Sequence, residues 1–275
     1  MVRVCATHRT SMPTPAVKNT ARKNAAKHNP EPVKRARGRP KREPLDIAPQ
    51  GLSRESIIAK AAALAQNEAL TEISMVRLAR ELNVAPGLIH YYVGSRDDLI
   101  SGVINLYFRD RVGQMRAPSD DWRTNVREFA RTTLNSMLKY RGIAAYIASH
   151  NRFRLFQKVL PGETDYGLEF FNRAAEVFRR GGLPPKMAAL CYHLLMQYLV
   201  SCSMVEIGHQ IPGEHENFIR SRLEGLDETR YAGALYIATE FSRLNSAETF
   251  EVGLEFIIAG IGALLDADGA KKRKR

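Results

Sequence analysis

The stretch TEISMVRLARELNVAPGLIHYYVGSRDDL, residues 71–99, decides how the rest of the chain is read. Ser74 is placed to cap a helix, because its hydroxyl can accept from backbone amides that have no partner inside the first turn. Leu78, Ala79 and Leu82 then form the apolar side of a short helix. Asn83 ends it, since asparagine tolerates the left-handed backbone that helix C-termini often need. Pro86 suits the first position of a second helix, where its missing N–H would be unsatisfied anyway. Leu88, Ile89 and Tyr92 keep helical spacing, and Gly94-Ser95 closes the segment. Ser95 followed by Arg96-Asp97-Asp98 opens a third helix, with acids at the positive end of its dipole. Two short helices joined by a tight turn are the arrangement that places the second one in the major groove of DNA.

Working outward, Ser53 caps RESIIAKAAALAQ, where Ile57, Ala61, Leu64 and Ala65 make one apolar stripe. This helix completes a three-helix core. Downstream, a helix from Ser95 through Leu99, Val103 and Leu106 to about Met115 bridges the small core and the remainder, a natural lever. Ala117-Pro118-Ser119 interrupts it, and Asp120 or Asp121 opens the next helix, with Trp122, Val126, Phe129, Thr133 and Met137 along one side to Tyr140. Helices are also expected over 142–151, 163–180, 185–207, 227–241 and 248–266, with an irregular segment between the first two and a polar, mobile loop over 208–224. The 185–207 helix is hydrophobic on more than one face, as a helix buried from two sides would be. Gly253, Gly260 and Gly262 each cost about 1 kcal/mol against alanine in a helix, so close approach of a second helix is expected there. No strand-like alternation and no internal repeat is evident, and the fold class is all-α.

Charge is unevenly placed. The chain of 275 residues carries a net charge of +12. Residues 1–45 hold +10 of it and the terminal KKRKR +5, leaving −3 for residues 46–270. Basic tails point to a polyanion, and beside a helix-turn-helix that polyanion is DNA. Residues 1–45 lack periodicity and are expected to be disordered in isolation. No run of eighteen apolar residues occurs and no apolar segment follows the first basic residues, so neither a membrane span nor a secretory signal is expected. Cys5, Cys191 and Cys202 form an odd set without metal spacing, suited to buried thiols in a reducing cytoplasm.

VAPGLIHYYVGSRDDL is similar to the recognition segment of tetracycline-repressor-type (TetR family) transcriptional regulators, with Gly87 to Arg96 occupying the motif. Leu88 and His90 depart from it, since the family usually has Thr and Tyr there. The resemblance implies a DNA-binding domain over 46–98 and a ligand-binding and dimerisation domain over 99–268; the charge leaves 269–275 as a basic tail. It implies a homodimer built on 184–207 and 248–266, and FEVGLEFIIAGI is similar to the end of the tetracycline-repressor subclass itself. Ahead of the head, Arg37-Gly38-Arg39-Pro40 resembles an AT-hook, whose arginines enter the narrow minor groove of A·T-rich DNA; a generic phosphate-neutralising arm is the alternative.

Candidate DNA contacts follow. Ala85, Pro86, Gly87, Leu88 and His90 open the recognition helix. His90 can donate or accept at a base edge, whereas Leu88 offers only apolar contact such as a thymine methyl. Tyr92 and Arg96 match positions that fix register on phosphates, Arg77 and the Ser74 cap lie on the first helix of the pair, and Tyr91 can face either way. For a small-molecule effector, Tyr140, Tyr146, His150, Phe153, Tyr192, His193, Met196 and Gln197 could line an apolar pocket with a few polar groups. His150 stands where the resemblance implies a ligand or metal contact.

His209, Glu214, His215 and Glu216 match no defined zinc spacing and read as a solvated loop. No cofactor, metal or catalytic motif is expected. The reading is a ligand-responsive transcriptional regulator acting on a double-stranded operator. The alternatives are a ligand-independent architectural DNA-binding protein and, further off, an all-α enzyme with basic tails.

Overall fold

In the computed structural model residues 51–150 and 153–273 are described, with side chains to residue 267. The arm with Arg37 and Arg39 and the end of the KKRKR tail lie outside the described residues. Eleven α-helices and two short 3-10 turns make up the described part, which contains no strand.

Helix α1 is Arg54–Leu64, α2 Met75–Glu81 and α3 Pro86–Val93. Local chemistry fixes each end. The Ser53 and Ser56 side chains cap one another's backbone N–H at 3.1 and 2.9 Å. The Ser74 hydroxyl accepts from the Arg77 N–H at 3.1 Å. Asn83, at φ 53°, makes the left-handed turn into α3, and Pro86 opens that helix. Ile57, Ala61, Leu78 and Ile89 are fully buried, so the three helices share one small core. Fully burying an aliphatic side chain contributes about 1.5–3 kcal/mol, enough to hold α3 against α1 and α2.

Helix α4, Arg96–Gln114, starts one turn after α3. Ser95 and Asp98 form a capping box, with Ser95 N–H donating to Asp98 Oδ2 at 2.9 Å. Leu99, Val103, Tyr107 and Arg111 follow one another at i+4 and are all buried. The first half of α4 packs on α1 and the remainder on α5 (Trp122–Lys139) and α7 (Tyr166–Arg180). Val126, Phe129, Thr133 and Met137 are the buried side of α5. Helix α6, Arg141–Ser149, has Gly142 in its first turn, whose N–H donates to the Ala65 carbonyl at 3.0 Å. A Cβ there would lie 1.7 Å from the Glu68 carbonyl oxygen, so only glycine lets α6 abut the end of α1.

Helix α8, Pro185–Ile207, packs on α5, α6, α7 and α11 (Ser246–Arg273). By length and composition alone it is apolar enough to cross a membrane. Within this chain only Cys191, Leu195, Leu199 and Ser203 are buried, a single stripe rather than the two-sided burial its sequence suggests. Its outer face leaves Leu190 and Leu194 exposed, as α11 leaves Val252, Phe256 and Leu264. Cys202 is half-buried, and burial pushes both the Cys191 and Cys202 thiols up.

Of the α11 glycines, Gly253 faces the Tyr198 ring, where a Cβ would come within 2.4 Å of its oxygen. Gly262 lies near Arg123 and Trp122, while Gly260 meets nothing within 4 Å in its own chain.

The segment 208–224, expected as a loop, instead holds a 3-10 turn at Pro212–His215 and helix α9, Glu216–Leu223. Its charges have helical spacing: Glu216 pairs with Arg220 one turn on at 3.7 Å and with Arg243 at 3.3 Å. Helix α10, Ala232–Phe241, begins later than the expected 227 and buries none of its residues. His209 bonds Glu214 at 3.0 Å, and His215 approaches the His209 carbonyl at 2.7 Å.

Candidate DNA-reading face and effector cavity

The exposed side of α3 is set by what its other side buries. Ile89 and Val93 point into the core, which turns His90 and Tyr91 outward and leaves Leu88 and Tyr92 half-buried. Tyr91 is 82% exposed and makes no hydrogen bond among the described residues. Its ring stands edge-on to Tyr92, with centroids 5.3 Å apart. His90 Nδ1 lies 3.2 Å from the Gly94 carbonyl oxygen, which closes the end of α3. Pro86 and Gly87 are exposed and Ala85 half-buried at the start of the helix. A Cβ on Gly87 would meet nothing within 4 Å, so this glycine serves no packing purpose inside the chain and leaves the helix start open to a partner.

Several polar candidates are already engaged. Both Arg77 Nη atoms donate to the Glu68 carboxylate, and the Ser74 hydroxyl is used by the α2 cap. Arg96 Nη2 donates to the Thr71 carbonyl at 2.7 Å, tying the start of α4 to the residues before α2.

A cavity of about 830 Å³ opens between α4, α5, α6, α7 and α8. His150, Phe153, Tyr192, His193, Met196 and Gln197 all line it. Tyr140 and Tyr146 do not; they are buried behind it. The Tyr140 hydroxyl donates to Asp110, and the Tyr146 ring stacks on His150 at 4.4 Å. Aromatic rings dominate the wall: Phe108 stacks on Phe170, and Phe171 meets Tyr192 edge-on at 5.4 Å. Burial pushes the Tyr192 phenol up, with Arg111 opposing.

Two arginines of this wall escape the sequence reading. Arg111 is 1% exposed, and Arg154 is 8% exposed. The signal for Arg111 was its place at i+4 from Tyr107 on the apolar stripe of α4, where a cation is out of pattern. Arg154 sits in the irregular segment before α7 and carries no such signal.

That segment also grips α4. Arg154 Nη2 donates to Asp97 Oδ1 at 2.8 Å and to the Tyr146 hydroxyl at 3.4 Å. Lys158 reaches Asp98 at 3.1 Å. The Ser95 hydroxyl and amide, with Lys158, hold the Asp98 carboxyl down to about 2. Further along, Arg54 of α1 pairs with Glu163 at 2.7 Å, and Asn105 of α4 bonds the Thr164 carbonyl and the Tyr166 N–H at 2.9 and 2.8 Å.

Residues 116–265 match the family model described as the tetracyclin repressor-like C-terminal domain. Among solved structures, the chain resembles apo ActR of Streptomyces coelicolor at 26% identity and a TM-score of 0.64, covering 79% of this chain and 97% of that one. A structure of the same TetR family protein in complex with actinorhodin matches with the same identity and TM-score, over 78% of this chain and 96% of that one. Another S. coelicolor TetR regulator shares the fold at 21% identity, over 78% and 99% of the two chains, with a TM-score of 0.61. A comparison with curated protein sequences finds no significant match.

The fold is thus that of a helix-turn-helix regulator with a helical C-terminal domain. The chain belongs to the tetracycline-repressor-like family of ligand-responsive transcriptional regulators, whose members bind DNA operators and small-molecule effectors as dimers.

Proposed function

We propose that this chain is a homodimeric repressor released from its operator by a small molecule held in the 830 Å³ cavity. One observation carries the reading. Arg154, which lines the cavity, bonds Asp97 in the first turn of α4, directly after the recognition helix. A ligand that moves the segment around Arg154 therefore acts on the seat of α3. It can do so only by as much as it prefers one form over the other.

In this reading residues 46–98 form the reading head and 99–268 the sensing and dimerising part. His90, Leu88 and Gly87 meet base edges, while Tyr91, Tyr92 and Arg96 fix register. Arg37 and Arg39 enter the flanking minor groove. Dimer contacts fall on the outward faces of 184–207 and 248–266, where Leu194 and Phe256 are exposed and Gly260 leaves room for close approach. Pairing would place two recognition helices about 34–36 Å apart on one face of DNA. The bound actinorhodin of the ActR complex supports a cavity of this kind as an effector site. In this reading the protein works in the cytoplasm, associated with the nucleoid when bound to DNA.

Selection of bound sequences from a random DNA pool, using the full chain, tests the reading. A two-fold symmetric site with half-sites about one helical turn apart is expected. Binding without sequence preference would favour an architectural role instead.

A further inference from the structure

Arg111 is the most deeply buried arginine among the described residues, and no carboxylate there pairs with it. A guanidinium keeps its charge in a protein, so burial without a counter-ion is a standing cost. Its Nη2 donates to the Tyr107 hydroxyl, and its Cζ lies 4.4 Å from the Tyr107 ring centroid and 4.9 Å from that of Phe170. Aromatic faces offset part of that cost. The Nε–H remains without a hydrogen bond.

Arginines elsewhere in the bundle show the contrast. Arg127 and Arg131 of α5, both far more exposed, each hold a carboxylate of α11 through two bonds, at 2.6 and 2.8 Å and at 3.0 and 2.8 Å. Two other clefts, of about 520 and 540 Å³, contain Arg54 and Arg131, both already paired, and in the first also Arg109, which is exposed to solvent. Among the described residues, the 830 Å³ cavity has in its wall a buried guanidinium, Arg111, with no carboxylate partner.

Resting on the reading of that cavity as the effector site, we infer that its ligand is an aromatic acid whose carboxylate or ionised phenol pairs with Arg111. Phe108, Phe170, Phe171 and Tyr192 provide flat apolar walls for the body of such a molecule. A bare inorganic anion would leave those walls against water, and a neutral aromatic would leave the guanidinium uncompensated. The volume falls within the usual range of small-molecule sites, roughly 300–1,000 Å³.

The test uses the full chain, calorimetric titration, and four probes: naphthalene-2-carboxylate, anthracene-9-carboxylate and the primary amide of each. Both acids should bind at least about tenfold tighter than their amides, the scale of one charge-assisted pair. In Arg111→Met and Arg111→Gln that preference should shrink to about threefold or less, and the melting temperature without ligand should hold or rise. Equal binding of acids and amides, no binding of either acid, a preference that survives in both variants, or inorganic phosphate, titrated as a control, binding as tightly as the acids would each overturn the inference. So would a lower melting temperature in both variants, which would make Arg111 a packing group. Operator affinity read beside the titration separates the two ideas. An acid bound through Arg111 that leaves operator affinity unchanged defeats the effector reading but not the ligand class; release by the amides does the reverse.

Discussion

The reading head and the sensing cavity solve opposite problems with the same residue types. In the head, polar groups are satisfied close by in sequence. Ser74 caps α2, Ser95 and Asp98 cap α4, and Arg77 is held by Glu68 nine residues away. What the head leaves exposed, His90 and Tyr91, sits on a rigid helix whose inner face is locked by Ile89. The cavity is assembled from five helices and one irregular segment, and it keeps Arg111 buried without a counter-ion. A surface meant for DNA can be finished locally. On the proposed reading, a pocket for a small molecule is finished only when the molecule arrives.

The two regions are joined where α6 abuts α1 and where the segment before α7 holds α4. Gly142→Val should have the largest effect, because its first carbon would overlap the Glu68 carbonyl. A loss of about 3 kcal/mol or more is expected in urea unfolding, beyond the usual overpacking range if the backbone must shift. His90→Ala should leave folding intact and lose about 1–3 kcal/mol of discrimination at one base pair in competition binding. Tyr92→Ala, by contrast, should weaken all operators alike; a changed base preference would make Tyr92 a reader rather than an anchor. Doubling Arg37→Ala with Arg39→Ala should weaken A·T-rich flanks most, and equal loss on G·C-rich flanks would reduce the arm to phosphate contact.

Smaller effects probe the joint itself. Arg154→Gln should retain operator and ligand binding while lowering their coupling, a quantity usually of about 1–3 kcal/mol, seen as weaker ligand-driven release. Asp98 sets a pH signature. Its carboxyl is held at about 2 against an ordinary 3.8, so its contribution is fully present above about pH 4 and fades as pH falls toward 2. Asp98→Asn should flatten that acid limb by less than about 1 kcal/mol, since the side chain is partly exposed. An unchanged limb would remove Asp98 from the α4 start.

Much of the head was legible in residues 71–99 because caps, turn residues and apolar spacing all act within a few positions. Asn83 adopts the expected left-handed turn, and Pro86 opens α3. The cavity was legible only in part. His150, Phe153, Tyr192, His193, Met196 and Gln197 come together, but Tyr140 and Tyr146 are drawn away by Asp110 and by the His150 ring. Arg154 gave no signal because its partners, Asp97 and Tyr146, are brought to it only by the tertiary fold. Helix α9 was missed because its stability comes from charge pairs on a polar surface rather than from an apolar stripe. The one-sided burial of α8 could not be seen in a sequence that is apolar nearly all round; on the proposed reading a second copy of the chain covers its other side.

The central claim is that cavity and reading head are one coupled system through α4. Its most direct test is the affinity of the full chain for a selected operator, by fluorescence anisotropy, with anthracene-9-carboxylate absent and then saturating. The account predicts operator affinity falling by about tenfold or more on ligand binding, with ligand affinity falling by the same factor on operator. Unchanged operator affinity while the acid is demonstrably bound would contradict it.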